Sequence, residues 1–489
     1  MRLVHRTAPW ADPATAFAAL YRGSSEAFWL DSSRPGEGAR FSFMGDASGP
    51  LAATVAYDVE AGEVTVRRGG ETEVRTEPIL DYLDQELTRL RPGADTDLPF
   101  DFQCGFAGYL GYEVKADCDS PNSHGSPHPD AAFVLADRLL AFDHELRQTH
   151  LLCLYDQRAK EAADSWIAKT AERLAPLRAA AQGAMGEGSP EPPRCCSADP
   201  SPMAPHLLRP RAQYLEDIAT CKEHLLEGDS YEICLTNTVT AKVDADPFDL
   251  YMELRRVNPA PYASYLQFGE LAVLSSSPEC FLRIDRGGRV ETRPIKGTAP
   301  RGDTAAEDAR LAEELGRSEK DRAENLMIVD LMRNDLGAVC EVGSVEVPVL
   351  MEVESYETVH QLISTVRGRL RPGGTALDCV RSCFPPGSMT GAPKLRTVEI
   401  LDRLEGRARG VYSGAIGYFG AGGGCDLSVT IRAIVLAGGE ASIGAGGAIT
   451  LQSDAQDELA EALLKAQAPL RALAKTQQTA VFRPAEPSF

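Results

Sequence analysis

The chain has no stretch approaching the ~20 consecutive apolar residues that a membrane-spanning helix needs. Its opening, MRLVHRTAPWADPATAF, has no uninterrupted apolar core of signal-peptide length. Both absences lead to the expectation of a cytoplasmic protein without a membrane partner. Basic residues are in the minority, with 50 Lys and Arg against 71 Asp and Glu and a formal net charge of −21. No basic patch relieves that excess, so a phosphate backbone would be repelled and nucleic acid is not an expected partner. The 12 cysteines include no CxxC pair, which removes the usual zinc and disulfide frameworks and leaves reduced, buried thiols as the plain reading. An acidic protein that holds an anionic metabolite must gather a few Lys and Arg, or a metal cation, at one place.

What is present fits a large folded interior: 43% hydrophobic and 25% charged residues in 489, too many for one simple core. Residues 1–181 alternate β-rich runs such as LAATVAYDV and GEVTVRRG with Gly and Pro turns. Helical patterns fall near Asp12–Tyr21 and Ile79–Leu90, and an Ala-rich helix is predicted over Gln157–Ala181. Together they predict an N-terminal α/β region. Residues 182–210 dissolve into Pro, Gly and Ser, as a linker or exposed loop does. Residues 211–475 begin with an amphipathic helix carrying Tyr214, Ile218, Cys221 and Leu225. Strands are predicted at YEICLTNTVTAKV, LAVLSSSP, FLRIDR, VETRPIKG, SGAIGYFG, LSVTIRAIVL and ASIGAGGAITL, with helices near 308–334, 397–403 and 454–473. Residues 476–489 are read as a tail. The pattern predicts an α/β (α+β) protein, with a large sheet flanked by helices.

Several residues have neighbours that suit chemistry. Lys296 follows the rigid Pro294 and precedes Gly297, which permits close backbone approach, and Thr298, which offers a hydroxyl. A lone lysine at such a place is most often merely exposed, whereas a desolvated one can lose its proton and attack carbon. Glu324 shares a helical face with Ile328 and Leu331, as an ion-pair partner or a metal ligand. Glu461 and Lys465 stand four apart on the last helix, an orientation that favours an ion pair. A carboxylate there could equally join Glu324 around Mg²⁺, which takes oxygen ligands. The Gly-rich GAGGAIT reads as a turn before that helix and FPPGSMTGAPKLR as a second helix start; either could receive an anion. His360 has the surroundings of a satisfied core histidine. Glu279 and Tyr412 lie at strand ends, and Arg432 inside a predicted strand, where a guanidinium needs an anion.

Six motifs in unbroken order, GDSYEICLTN, SPECF, RPIKGTAPRG, ENLMIVDLMRNDLG, FPPGSMTGAPK and SDAQDELAEALLKA, resemble the chorismate-utilising enzymes, and within them the aminodeoxychorismate synthase component I branch. The resemblance spans residues 211–473 and more loosely 1–155. It implies two large sheets in an α/β sandwich, like anthranilate synthase component I, with chorismate and Mg²⁺ in a cleft. Carried over residue by residue, it implies Glu324 and Glu461 as magnesium ligands. It implies Gly297, Thr298, Tyr412, Arg432, Lys465 and the Gly446-Gly447-Ala448 turn as chorismate contacts, His360 as the histidine facing the ring, and Glu279 as a general acid.

Lys296 separates the branches, since anthranilate synthases usually carry alanine at this place. It implies attack of neutral Lys296 at ring C2 with loss of the C4 hydroxyl, then entry of ammonia at C4 to give 4-amino-4-deoxychorismate. Isochorismate-forming relatives place a water-activating lysine where this chain has Glu232. No cysteine sits in a glutaminase-type motif, so a separate glutamine amidotransferase subunit is implied as the ammonia source. Ser32, Arg40, Phe41, Ser42, Phe43, Pro261, Tyr262 and Ala263 match the lining of a pocket for L-tryptophan. The nearest alternative is anthranilate synthase component I, against which Lys296 argues. An alternative of another class is a non-catalytic amidotransferase-binding or tryptophan-sensing subunit, against which intact Glu279, Lys296, Glu324 and Glu461 argue.

Overall fold

A computed structural model describes residues 1–33, 39–93, 97–177, 206–356 and 359–481. Of the linker predicted over 182–210, residues 182–205 lie outside the described residues, as does the tail beyond 481, while His206–Leu207 form a short strand. Within them the chain forms two 12-stranded sheets with flanking helices. The expected sandwich is what the chain adopts.

Each sheet is built from both halves of the chain. The first runs from Arg2–Pro9 through Gln148–Tyr155, Arg138–Asp143, Phe41–Asp46 and Glu26–Asp31 into Tyr262–Phe268, Leu271–Ser277, Ala433–Ala437, Glu440–Ile449, Glu232–Lys242 and His206–Leu207. The join is antiparallel, with Asp31 opposite Ala263 and Trp29 opposite Tyr265. In the second sheet, Ala415–Gly420 pairs with Gly105–Leu110, joining the C-terminal strands to N-terminal ones.

The core lies between the sheets and along their outer faces. Between them Phe102 stacks on Tyr418 with centroids 4.3 Å apart, and Phe43 meets Tyr418 edge-on at 5.6 Å. Outside the first sheet, Phe17 of the helix Pro13–Leu20 stacks on Trp29 and on Phe248 of the helix Pro247–Val257. Such aromatic pairs add to the area they bury.

Five local departures from the sequence reading stand out, the first four of them around the site. The run VETRPIKG is two strands, Arg289–Arg293 and Ile295–Pro300, because Pro294 cannot donate to the ladder. The helix predicted over 308–334 is two, Ala305–Arg317 and Glu319–Val339; the Ser318 backbone leaves the helix and its hydroxyl accepts the Asp321 N–H at 3.3 Å. The GAGGAI segment is not a turn but the end of the strand Glu440–Ile449, laid against Glu232–Lys242. The run LSVTIRAIVL is divided between Cys425–Val429 in the second sheet and Ala433–Ala437 in the first. The last helix, Ala455–Val481, extends into the stretch read as tail.

Candidate active site

The chain passes from one sheet to the other twice at neighbouring places. Glu279 lies on the first passage, between Leu271–Ser277 and Cys280–Ile284. Arg432 lies on the second, with a left-handed φ of 54° that explains why no single strand spans it. The passages are bonded together: the Val429 N–H donates to the Glu279 carbonyl at 3.1 Å, and the Ser276 N–H to the Arg432 carbonyl at 3.3 Å. Two side chains from remote positions are thereby fixed beside the gap between the sheets.

Lys296 enters this gap from the second sheet. Its strand shifts register between Ile295 and Thr298, and Gly297 there has φ of 86°. A Cβ on Gly297 would come within 2.8 Å of Asp321. The Lys296 ammonium forms an ion pair with Glu232, the first residue of its strand in the other sheet. Both side chains are buried. Burial alone would depress the lysine pKa, but Glu232, then Glu324 and Cys234, hold it above the ordinary value.

Glu279 is also buried, which pushes its carboxyl up to about 7 against the neighbouring Ser388 hydroxyl and the Lys296 and Lys465 charges. Glu324 is pushed up to about 7 in the same way, opposed by Lys296 and assisted by Glu232. Burial would raise Glu461 as well, but Lys465, 2.7 Å away, holds it below the usual carboxylate value. Lys320 bridges the two acidic helices, 2.8 Å from Glu458 and 3.9 Å from Glu324.

The remaining predicted residues are distributed around this core. Gly446, Gly447 and Ala448 lie opposite Thr236, Leu235 and Cys234 on the paired strands. Lys465 donates to the Gly446 carbonyl at 3.0 Å, and Arg432 donates to the Lys465 carbonyl at 3.1 Å. Among the described residues Arg432 has no carboxylate within ion-pair distance, and burial lowers its pKa. The Tyr412 ring packs so closely on Gly444 that a Cβ there would lie 2.1 Å from it. Thr298 pairs with Gln361, next to the Ala299–His360 pair. His360 is buried with both ring nitrogens engaged, Nε2 with Asp308 at 2.9 Å and Nδ1 with Ser355 at 2.8 Å.

Glu324 offers an oxygen of the kind a hard cation takes, whereas Glu461 is exposed and engaged by Lys465. Glu324 Oε1 is buried and without a hydrogen-bond partner, and oxygen ligands are what Mg²⁺ selects. Three ligating side chains gather closely elsewhere, at His224, Glu227 and Asp229, where Asp229 is already tied to Arg396 at 2.8 Å. Sequence reasoning did not single out Glu232 as the partner of Lys296, nor Lys320. Their signals were present: a carboxylate opening an apolar strand, YEICL, and a lysine four residues before Glu324.

A second feature lies between the sheets, a cavity of about 240 Å³ lined by Ser32, Arg40, Phe41, Phe43, Pro261, Tyr262 and Ala263, with Phe100, Tyr418 and Asp426 among the other walls. Ser42 does not line it. Side chains alternate along a strand, and the Ser42 hydroxyl instead meets Asp31 at 3.1 Å and His144 at 2.7 Å. Asp31 is held by Arg255 at 2.6 Å and Tyr251 at 3.1 Å.

The two-sheet sandwich brings the buried Lys296, Glu279 and Glu324 toward one region beside the passages between the sheets. The chain belongs to the chorismate binding enzyme family, whose sequence profile matches residues 26–471. It is 50% identical over 476 residues to the aminodeoxychorismate synthase of Streptomyces griseus, covering 97% of this chain and 64% of that protein. It is 39% identical to anthranilate synthase component 1 of Streptomyces coelicolor over 96% of this chain and 88% of that one. The crystal structure of anthranilate synthase component I from Streptococcus pneumoniae superposes with a TM-score of 0.72 at 31% identity, covering 88% and 92% of the respective chains. The chain thus spans just under two thirds of the length of the Streptomyces griseus relative.

Proposed function

We propose that this chain converts chorismate and ammonia to 4-amino-4-deoxychorismate through a covalent bond to Lys296. The observation that carries the proposal is the placement of a buried lysine beside a buried carboxyl, Glu279, whose burial keeps it protonated up to about pH 7. One group can bond to ring carbon while the other supplies a proton to a departing hydroxyl. The likeness to an aminodeoxychorismate synthase at 50% identity supports this branch.

Arg432, with no carboxylate partner among the described residues, and Lys465 would receive the substrate carboxylates. Gly297, Thr298, Gly446, Gly447 and Ala448 would let the ring approach backbone, with Tyr412 and His360 as walls. Glu324 and Glu461 would hold Mg²⁺, which when bound withdraws electron density from the ring carboxylate. Lys296 then bonds to C2 as the C4 hydroxyl leaves with the proton of Glu279. Ammonia bonds to C4, and the bond from C2 to Lys296 breaks. Tethering the amine raises its effective concentration at the ring.

Ammonia would come from a separate glutamine amidotransferase subunit in the cytoplasm. L-Tryptophan is the proposed occupant of the cavity between the sheets. Residues 211–475 would supply the catalytic cleft, and residues 1–181 one wall of that cavity. The test is mass-spectrometric identification of the product from chorismate, Mg²⁺ and an ammonium salt. The expected product is 4-amino-4-deoxychorismate, with turnover lost by at least about 100-fold in Lys296→Ala. Anthranilate as the main product would overturn the assignment.

A further inference from the structure

A lysine held as an ammonium has no lone pair with which to attack carbon. Lys296 is in that state, paired to Glu232 across the gap between the sheets. Among the described residues no other carboxylate lies within ion-pair distance of it, so its proton has one immediate acceptor. Glu232 is fixed for this use. It is wholly buried, its backbone pairs with Ala392, and the Ser230 hydroxyl donates to its carbonyl at 2.8 Å. One carboxylate oxygen takes Lys296, while the other, Oε2, is buried and without a hydrogen-bond partner. Substrate closing over the pair removes more water, and a neutral acid and amine have no charge left to desolvate.

We propose that Glu232 is the catalytic base that takes the proton of Lys296 and stores it while the lysine is bonded to the ring. The assignment rests on the covalent reading above. The balance closes over one turnover. Proton transfer gives a Glu232 carboxylic acid and a neutral Lys296 amine. Its lone pair forms the bond to C2, the ring double bonds shift, and the C4 hydroxyl leaves as water with the proton of Glu279. The lysine nitrogen is then a secondary ammonium. Ammonia forms the C4–N bond, the C2–N bond breaks, and its electron pair returns to Lys296. The new C4 ammonium gives one proton to the Glu279 carboxylate, and Glu232 returns its stored proton to Lys296. Every protein group ends as it began, with one ammonia consumed and one water released.

The test is single-turnover adduct formation by the full chain with chorismate and Mg²⁺ and without ammonia, followed by intact mass between pH 6 and pH 9. Glu232→Gln keeps a hydrogen-bond partner for Lys296 but cannot take its proton. It should form the adduct about 100-fold more slowly while binding chorismate as the wild type does. Its rate should also climb with pH, as hydroxide replaces the missing base. Glu279, Glu324, Cys234 and Lys465, which share the electrostatic surroundings of the pair, remain in every variant, so the difference between profiles reports Glu232. Glu232→Asp restores an acid and should be faster than Glu232→Gln. Adduct formation in Glu232→Gln at the wild-type rate overturns the assignment, as does Glu232→Asp no faster than Glu232→Gln. Absence of any adduct in the wild type overturns the covalent reading first, and the role of Glu232 with it.

Discussion

Glu279 costs the fold something for being where it is. Its pKa moves from the model-peptide range near 4.5 in the unfolded chain to about 7 in the folded one. A raised folded-state value means that its favourable contribution is complete below the unfolded pKa and is lost as pH rises through 7. Glu279→Gln carries no such penalty. It should therefore melt higher than the wild type at pH 8, with the difference closing toward pH 5, while its turnover falls by about 10²–10⁴-fold. Melting curves across that range check the first part, and kcat at fixed substrate the second. Identical melting temperatures at pH 8 would contradict the burial argument. The sequence disclosed Glu279, Lys296, Glu324 and Glu461 because each sits in a local motif. It did not disclose that Lys296 meets Glu232, 64 residues away in another sheet, since no periodicity encodes a contact between two sheets.

At the scale of elements, the strand Glu440–Ile449 sets how closely Tyr412 and the paired strand Glu232–Lys242 approach. Its glycines read as a turn because Gly is the usual turn residue, but here they permit close packing. Gly444 accommodates the Tyr412 ring, and a Cβ on Gly446 would strike the Leu235 carbonyl at 2.3 Å. Gly444→Ala should displace Tyr412, raise KM for chorismate and destabilise the fold by about 1–3 kcal/mol. Denaturant midpoints and substrate titration check this, and an unaltered KM would place Tyr412 outside the substrate site. Arg432 was likewise misplaced in a strand by its apolar neighbours. Its left-handed backbone breaks the run, and only the pairing of each fragment with a different sheet reveals the passage between them.

For the whole molecule, the sandwich has the consequence that the candidate site draws its residues from both sheets and from the passages between them. Lys296 approaches from the second sheet, Glu232 opens a strand of the first, and Glu279 and Arg432 occupy the passages between. Helix and strand patterns were enough to anticipate an α/β protein, and the family motifs a two-sheet sandwich. The interleaving of both chain halves in both sheets was not anticipated, because strand order depends on long-range pairing. The central claim is that this convergence makes Lys296 a nucleophile toward bound chorismate. The most direct measurement is peptide mapping of the protein quenched after exposure to chorismate and Mg²⁺ without ammonia. The account predicts a modification of chorismate mass less one water on the peptide containing Lys296, which disappears when ammonium is added before the quench. An unmodified Lys296 peptide under conditions that support steady turnover with ammonium would contradict it.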